Sequence, residues 1–137
     1  MKKPRETVIR NDSELADFWS GLMATADSGG RTLWAILIAA GGAVLPTIIP
    51  IDDIPARPDR KLLAGLAQVL SQVGQEQGAS VALLVSRPGP MAMTEDDRRW
   101  ARALRGIAGG RQWPVHLATS NRVQVFAPDD LASADAA

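Results

Sequence analysis

Two uninterrupted apolar runs constrain the fold of this chain more than any other feature. Residues 33–40 and 81–85 are apolar throughout and are bounded by turn-forming or polar residues. A run of this length without alternation is typical of a strand that is buried on both faces. Both runs are far shorter than the ~20 residues that a membrane-spanning helix needs. We therefore predict an internal sheet with helices packed against it.

Composition narrows the classes of protein to consider. The chain has 137 residues, which suits one domain with a single core. Its 15 basic and 15 acidic residues balance, so there is no bulk attraction to nucleic acid or to an acidic membrane surface. Because the chain has no cysteine, disulfides and thiolate metal sites are excluded. We expect a cytoplasmic protein with no signal peptide and no membrane partner.

Periodicity and turn signals divide the chain into helices and strands. Apolar residues at helical spacing predict three helices, at 11–27, from Pro58 or Asp59 to about Gln77, and from Thr94 to 109–110. Besides the two apolar runs, we predict strands at 43–51, 113–119 and 123–126. The order α-ββ-α-β-α-ββ predicts an α/β fold with a mixed β-sheet. We expect a flexible arm at 1–10, one domain at 11–131 with its core at 31–131, and a disordered tail at 132–137.

The strand at 43–51 contains Pro46 and Pro50, which are out of place in a central strand. Gly41 and Gly42 precede it and form a two-residue hairpin signal, since both central positions of a type I′ turn take positive φ. With this turn, the even-numbered amides of the returning strand face away from the first strand. The prolines then lack a donor only on the outer side, so we predict an edge strand.

The segment 84–104 carries the most specific motif. Its apolar strand ends in Ser86-Arg87-Pro88-Gly89-Pro90, and the next helix opens at Thr94 with Asp97 three positions later. Thr94 and Asp97 match a T-x-x-D capping box, in which each side chain accepts a hydrogen bond from the other residue's backbone amide. This structural role explains both residues without a catalytic one.

The same segment resembles the metal-binding motif of JAB/MPN (JAMM-like) domains, where a strand ends in H-x-H-P and a helix opens with S-x-x-D. Pro88 matches the motif proline, Thr94 the serine and Asp97 the aspartate. Val85 and Arg87 stand at the two histidine positions. The predicted element order from about residue 32 to 127 is also that of a JAB/MPN core.

The resemblance implies a degenerate domain that has kept the scaffold and lost the metal ligands. The family's site also uses a glutamate from an early strand, but no glutamate lies between Arg31 and Ile51. A catalytic zinc needs three protein ligands, so we expect neither metal nor cofactor. Such relatives act as scaffolds, and the chain is also similar to small bacterial proteins without assigned activity. The resemblance thus implies a pseudoenzyme that binds a protein partner or a second copy of itself.

Two tryptophans are the candidate partner-binding residues. Trp19 lies in the apolar stripe of the N-terminal helix, and Trp34 lies in the first strand. Exposed tryptophans dominate the energetics of protein interfaces. We therefore consider a homodimer formed through the N-terminal helix or through an exposed sheet face.

The third helix has an arginine face, which consists of Arg98, Arg99, Arg102 and Arg105. Such a face suits nucleic acid or an acidic partner. It equally suits a solvated helix surface, because Glu95 stands four residues before Arg99 and can pair with it. The zero net charge favours the solvated surface.

Two aspartate pairs, Asp52-Asp53 and Asp129-Asp130, follow predicted strands, and His116 is the only histidine. If the fold brought the four carboxylates together, they would bind a divalent cation and support a metal-dependent hydrolase. Turn and helix-cap roles are the other interpretation of these residues. We adopt the non-catalytic interaction domain, with this hydrolase and anion or nucleic-acid binding through the arginine face of the third helix as alternatives.

Overall fold

The computed structural model describes residues 7–25, 30–105, 107, 113–120 and 122–126. The elements in chain order are α1 (Asp12–Thr25), β1 (Thr32–Ala39), β2 (Val44–Ile51), α2 (Arg60–Gln77), β3 (Ala79–Ser86), α3 (Glu95–Leu104), β4 (His116–Ala118) and β5 (Val123–Val125). The predicted mixed α/β class and element order are confirmed. The predicted tail at 132–137 lies outside the described residues.

The five strands form one sheet in the order β2-β1-β3-β4-β5. β1 is antiparallel to β2 and β3, β3 is parallel to β4, and β5 is antiparallel to β4. The two apolar runs of the sequence are the inner strands β1 and β3, which pair continuously from Thr32↔Ser86 to Ala39↔Ala79. This inner position explains why neither run alternates with polar residues.

Helices cover both faces of the sheet. Leu33 and Leu37, at odd positions of β1, belong to an apolar cluster with residues of α2 and α3. Ile36 and Ile38, at even positions, belong to a second cluster with residues of α1. Because successive side chains of a strand point to opposite faces, β1 is buried only if helices pack on both faces of the sheet. Each large aliphatic side chain buried in this way stabilises the fold by roughly 1.5–3 kcal/mol.

The hairpin between β1 and β2 differs from the predicted two-residue turn. The Gly42 amide donates to the Ala39 carbonyl and the Ala39 amide donates to the Ala43 carbonyl, both at 2.8 Å. Of the two glycines, only Gly42 has positive φ, at 97°. The loop is therefore one residue longer than predicted, with a bulge at Gly42. The prediction that the returning strand is an edge strand is confirmed.

Part of the segment predicted as a flexible arm is attached to this hairpin. Val8 forms an antiparallel bridge with Ala43, and the Val44 amide donates to the Thr7 carbonyl at 2.9 Å. Ile9 is buried in the apolar cluster between α1 and the sheet. The predicted extent of the arm is thus corrected for residues 7–10, because the side chain of Ile9 completes that apolar layer.

Candidate functional site

The motif residues meet where β3 ends and α3 begins. β3 is the middle strand of the sheet, and the residue after its end, Arg87, donates its backbone N–H to the Ala118 carbonyl of β4 at 3.0 Å. After a six-residue connection, α3 begins with Thr94 as its N-cap. This end of the sheet therefore brings the motif positions of the strand and of the helix together.

The predicted capping box at the start of α3 is confirmed. Thr94 Oγ1 accepts from the Asp97 amide at 3.2 Å, and Asp97 Oδ2 accepts from the Thr94 amide at 2.9 Å. The first turn of the helix is acidic, which complements the positive end of the helix dipole. The helix start is thus determined by residues within a few positions of one another.

The guanidinium of Arg87 joins this helix to the end of β3. Its Nε lies 2.9 and 3.1 Å from the two carboxylate oxygens of Asp97, and its Nη2 lies 2.8 Å from Asp97 Oδ2. The other N–H groups donate to carbonyls of the connecting loop, those of Pro88, Pro90 and Ala92. A guanidinium has five N–H donors, and here every one has an acceptor.

The ion pair is buried, and its electrostatics follow from that burial. The side chains of Arg87 and Asp97 are 8% and 0% exposed. Burial by itself raises the pKa of the Asp97 carboxyl. The hydrogen bonds and charge of Arg87, together with the Thr94 amide, outweigh that effect and hold the pKa below its ordinary value. Asp97 is therefore ionised at neutral pH, with Arg87 as its counter-ion.

Neither histidine position of the motif offers a metal ligand. Val85 lies in the apolar cluster that also contains Leu33 and Leu117, and Arg87 presents a cation. Both oxygens of Asp97 already accept hydrogen bonds. Within the described residues, no group of three or more His, Cys, Asp or Glu side chains can hold a metal ion. Chemically, the arrangement is a fully hydrogen-bonded ion pair that links the loop after β3 to the helix α3.

The pairing of Arg87 with Asp97 is not apparent from the sequence. There, Arg87 is identified only as the residue at a histidine position, and Asp97 only as part of a helix cap. The available signal is a basic residue just after a strand and an acidic residue at the third position of the next helix. An arginine in a turn can equally point into solvent, so this signal does not decide the contact.

The two tryptophan candidates are less accessible than a partner-binding role requires. Trp19 is 0% exposed, between α1 and the sheet, so its interpretation as a binding residue is corrected. Trp34 is partly buried on the same face, and its Nε1 donates to Ser86 Oγ at 3.0 Å. The apolar stripe of α1 covers the sheet of its own chain, which leaves little of it for a second copy.

The arginine face of α3 is paired with acidic residues of its own helix. Ion pairs join Arg102 to Glu95 at 2.9 Å, Arg99 to Asp96 at 3.1 Å and Arg98 to Glu95 at 3.8 Å. Arg105, at the C-terminal end of the helix, is exposed. Ion pairs within one helix are typical of a solvated helix surface. They neutralise much of the positive charge that binding to nucleic acid would require.

Of the residues in the hydrolase alternative that the structure describes, Asp52 and Asp53 lie far from His116. Asp52 accepts from Thr32 Oγ1 at 3.2 Å where β2 ends, and Asp53 follows it with φ at 56°. His116 is buried in β4, and two strands lie between β4 and β2. At about 4.8 Å between strands, this separation is roughly 14 Å. The second pair, Asp129-Asp130, lies outside the described residues.

Comparison of the chain with models of protein families finds no match, and comparison with curated proteins also finds none. In the described part of the chain, no helix has both the length and the apolar character needed to cross a membrane.

Proposed function

We propose that this chain is a non-catalytic protein-interaction domain on a metal-free, JAB/MPN-like scaffold. The observation that carries the proposal is the buried ion pair of Arg87 and Asp97, whose closest atoms are 2.8 Å apart. These residues stand at the second histidine position and the aspartate position of the motif that the chain resembles. A cation at one ligand position and an engaged carboxylate at another leave no ligand set for zinc.

The architecture around the ion pair supports the scaffold part of the proposal. The motif strand is the middle strand of a mixed sheet, and the following helix begins at the Thr94 cap. The order of elements is the one that the resemblance implies. A domain that has the fold of a metal-binding family but lacks the metal ligands can still function by binding other molecules at its surface. The partner that we propose is a protein, either a different chain or a second copy.

Metal content tests the metal-free part. The full chain is purified without chelators and without a metal-affinity tag, and its Zn, Mn and Mg are determined by elemental analysis. We expect well under one metal ion per chain. Near-stoichiometric metal would refute this part and would direct attention back to the carboxylates.

A double substitution, V85H/R87H, tests the scaffold part. If Val85, Arg87 and Asp97 stand at three ligand positions, the variant should bind one Zn²⁺ per chain, while the native chain should not. Zinc-dependent stabilisation against heat reports this binding even in a weakened variant. The matched control V85H/R87H/D97N lacks the third ligand and should lose most of the affinity. A double variant without zinc affinity would contradict the JAB/MPN-like arrangement.

A further inference from the structure

The two edges of the sheet differ in their ability to accept another strand. β2 forms one edge and β5 the other. At β2, the outward amide of Val44 is already bonded to the Thr7 carbonyl at 2.9 Å. Further along, Pro46 and Pro50 have no amide hydrogen to donate. Most of the β2 edge is therefore closed to pairing.

The β5 edge has outward-facing backbone groups. The Phe126 amide donates to the Val115 carbonyl at 3.3 Å. The backbone N–H and C=O groups of the even-numbered residues in 122–126 therefore point toward β4. Because the N–H and C=O groups of successive residues alternate in direction, those of Val123 and Val125 point away from the sheet. No strand of the described chain pairs with β5 on this side. Unlike β2, the segment 122–126 contains no proline.

We propose that β5 pairs with β5 of a second copy of this chain, antiparallel and related by a two-fold axis at Gln124. In this register Val123 lies opposite Val125 of the second copy. The two residues of each pair exchange N–H···O=C bonds, so all outward groups of both valines are paired. The symmetry makes the two valine pairs equivalent, as a closed dimer requires.

The side chains of the edge fit a second copy. Val125 is 48% exposed, and Val123 borders the apolar cluster beneath α1. Opposite each other across the axis, they form β-branched pairs, which stabilise antiparallel strands. The only charge in 122–126 is Arg122, which falls opposite Phe126 of the second copy, so no like charges face each other directly. With zero net charge, the two copies do not repel at long range.

The length of the edge sets the expected affinity. β5 has 3 residues, so the interface should bury less than the roughly 800 Å² per partner of a stable complex. Met91 adds some apolar surface, being 48% exposed, and its carbonyl accepts from Gln124 Nε2 at 2.5 Å. We therefore expect a reversible dimer with a dissociation constant on the order of 100 µM.

This inference rests on the proposed interaction role and names its partner, but the two can fail separately. Elemental analysis and the V85H/R87H variant test the metal-free scaffold, whatever the oligomeric state. Sedimentation of the native chain tests the dimer, whatever the metal content.

The experiment is sedimentation equilibrium of the full chain from about 10 µM to about 1 mM. The weight-average mass should rise with concentration from 14.6 kDa toward twice that value. Val125→Lys places a charge on the edge and should weaken dimerisation at least about tenfold. The matched control, Ile48→Lys, changes a residue of the β2 edge that is 37% exposed and should dimerise as the native chain does.

A measurement without substitutions keeps the test independent of variant folding. On dilution of the ¹⁵N-labelled native chain, the amide signals of Val123 and Val125 should shift while that of Ile48 stays in place. The proposal is overturned if the native chain stays monomeric throughout the range. It is also overturned if Ile48→Lys, rather than Val125→Lys, abolishes the dimer.

Discussion

Replacing Asp97 by asparagine should destabilise the fold far more than the size of the change suggests. Asparagine has nearly the shape of aspartate, and its Oδ1 can still accept from the Thr94 amide, which is 2.9 Å from Oδ2 of Asp97. The helix cap is therefore retained. What is lost is the negative charge beside Arg87, whose side chain is 8% exposed.

The expected magnitude follows from this burial. Removing one member of a buried ion pair leaves an uncompensated charge and costs about 3–5 kcal/mol. The whole free energy of unfolding of a domain is about 5–15 kcal/mol, so the loss is a large fraction of it. The melting temperature should fall by about 10–20 °C. Removing both charges in R87M/D97N should recover part of the loss, because no unpaired charge then remains.

The assay is urea denaturation at pH 7, followed by circular dichroism. Asp96→Asn is the matched control, since it makes the same chemical change one residue earlier. Asp96 is 32% exposed and pairs at the surface with Arg99, so its loss should cost less than about 1 kcal/mol. If D97N loses no more stability than D96N, the buried pair does not hold the loop to the helix as we argue.

The pH dependence provides an independent check on the same pair. The pKa of Asp97 is lower in the folded chain than its ordinary value of 3.8, despite the opposing effect of burial. A lowered carboxyl pKa contributes stability above the unfolded value, and this contribution is lost as pH falls through the folded value. The difference in unfolding free energy between native chain and D97N should therefore stay constant from pH 7 to about 5 and shrink below about 4.

Two further predictions concern the hairpin and the buried histidine. Gly42→Ala should cost at least about 1 kcal/mol, because φ is 97° and the added Cβ would lie 2.8 Å from the Ile9 carbonyl oxygen. Gly41→Ala, with nothing within 4 Å of its Cβ, is the control in the same denaturation assay. Burial lowers the pKa of His116, and the Pro114 carbonyl and the Asp12 charge raise it by less. An NMR titration of His116 should therefore give a pKa below 6.5. Stability should then decline as pH falls below 6.5, since the unfolded chain binds the proton first, and H116Q should remove this decline. A histidine pKa above 6.5 would contradict the burial argument.

The candidate site is only partly predictable from the sequence. That Val85 and Arg87 cannot replace two histidines follows from their chemistry alone. The Thr94 cap is predictable because its partners stand three residues apart on one turn. The bond between Arg87 and Asp97 is different, since it spans ten residues and needs a loop that returns over the end of β3. No local rule specifies where the end of a long, flexible arginine side chain will lie.

By itself, the sequence determined the features that depend on neighbouring residues. The unbroken apolar runs identify β1 and β3 as strands buried on both faces, and Pro46 and Pro50 identify β2 as an edge. Only the tertiary structure decided that Trp19 is fully buried and that Ile9 is held beneath α1. It also decided that β5 forms the other edge, where the N–H and C=O groups of Val123 and Val125 point away from the described strands. Periodicity, capping and proline chemistry act over a few residues, whereas burial and pairing depend on elements that are distant in the chain and meet only when the core packs.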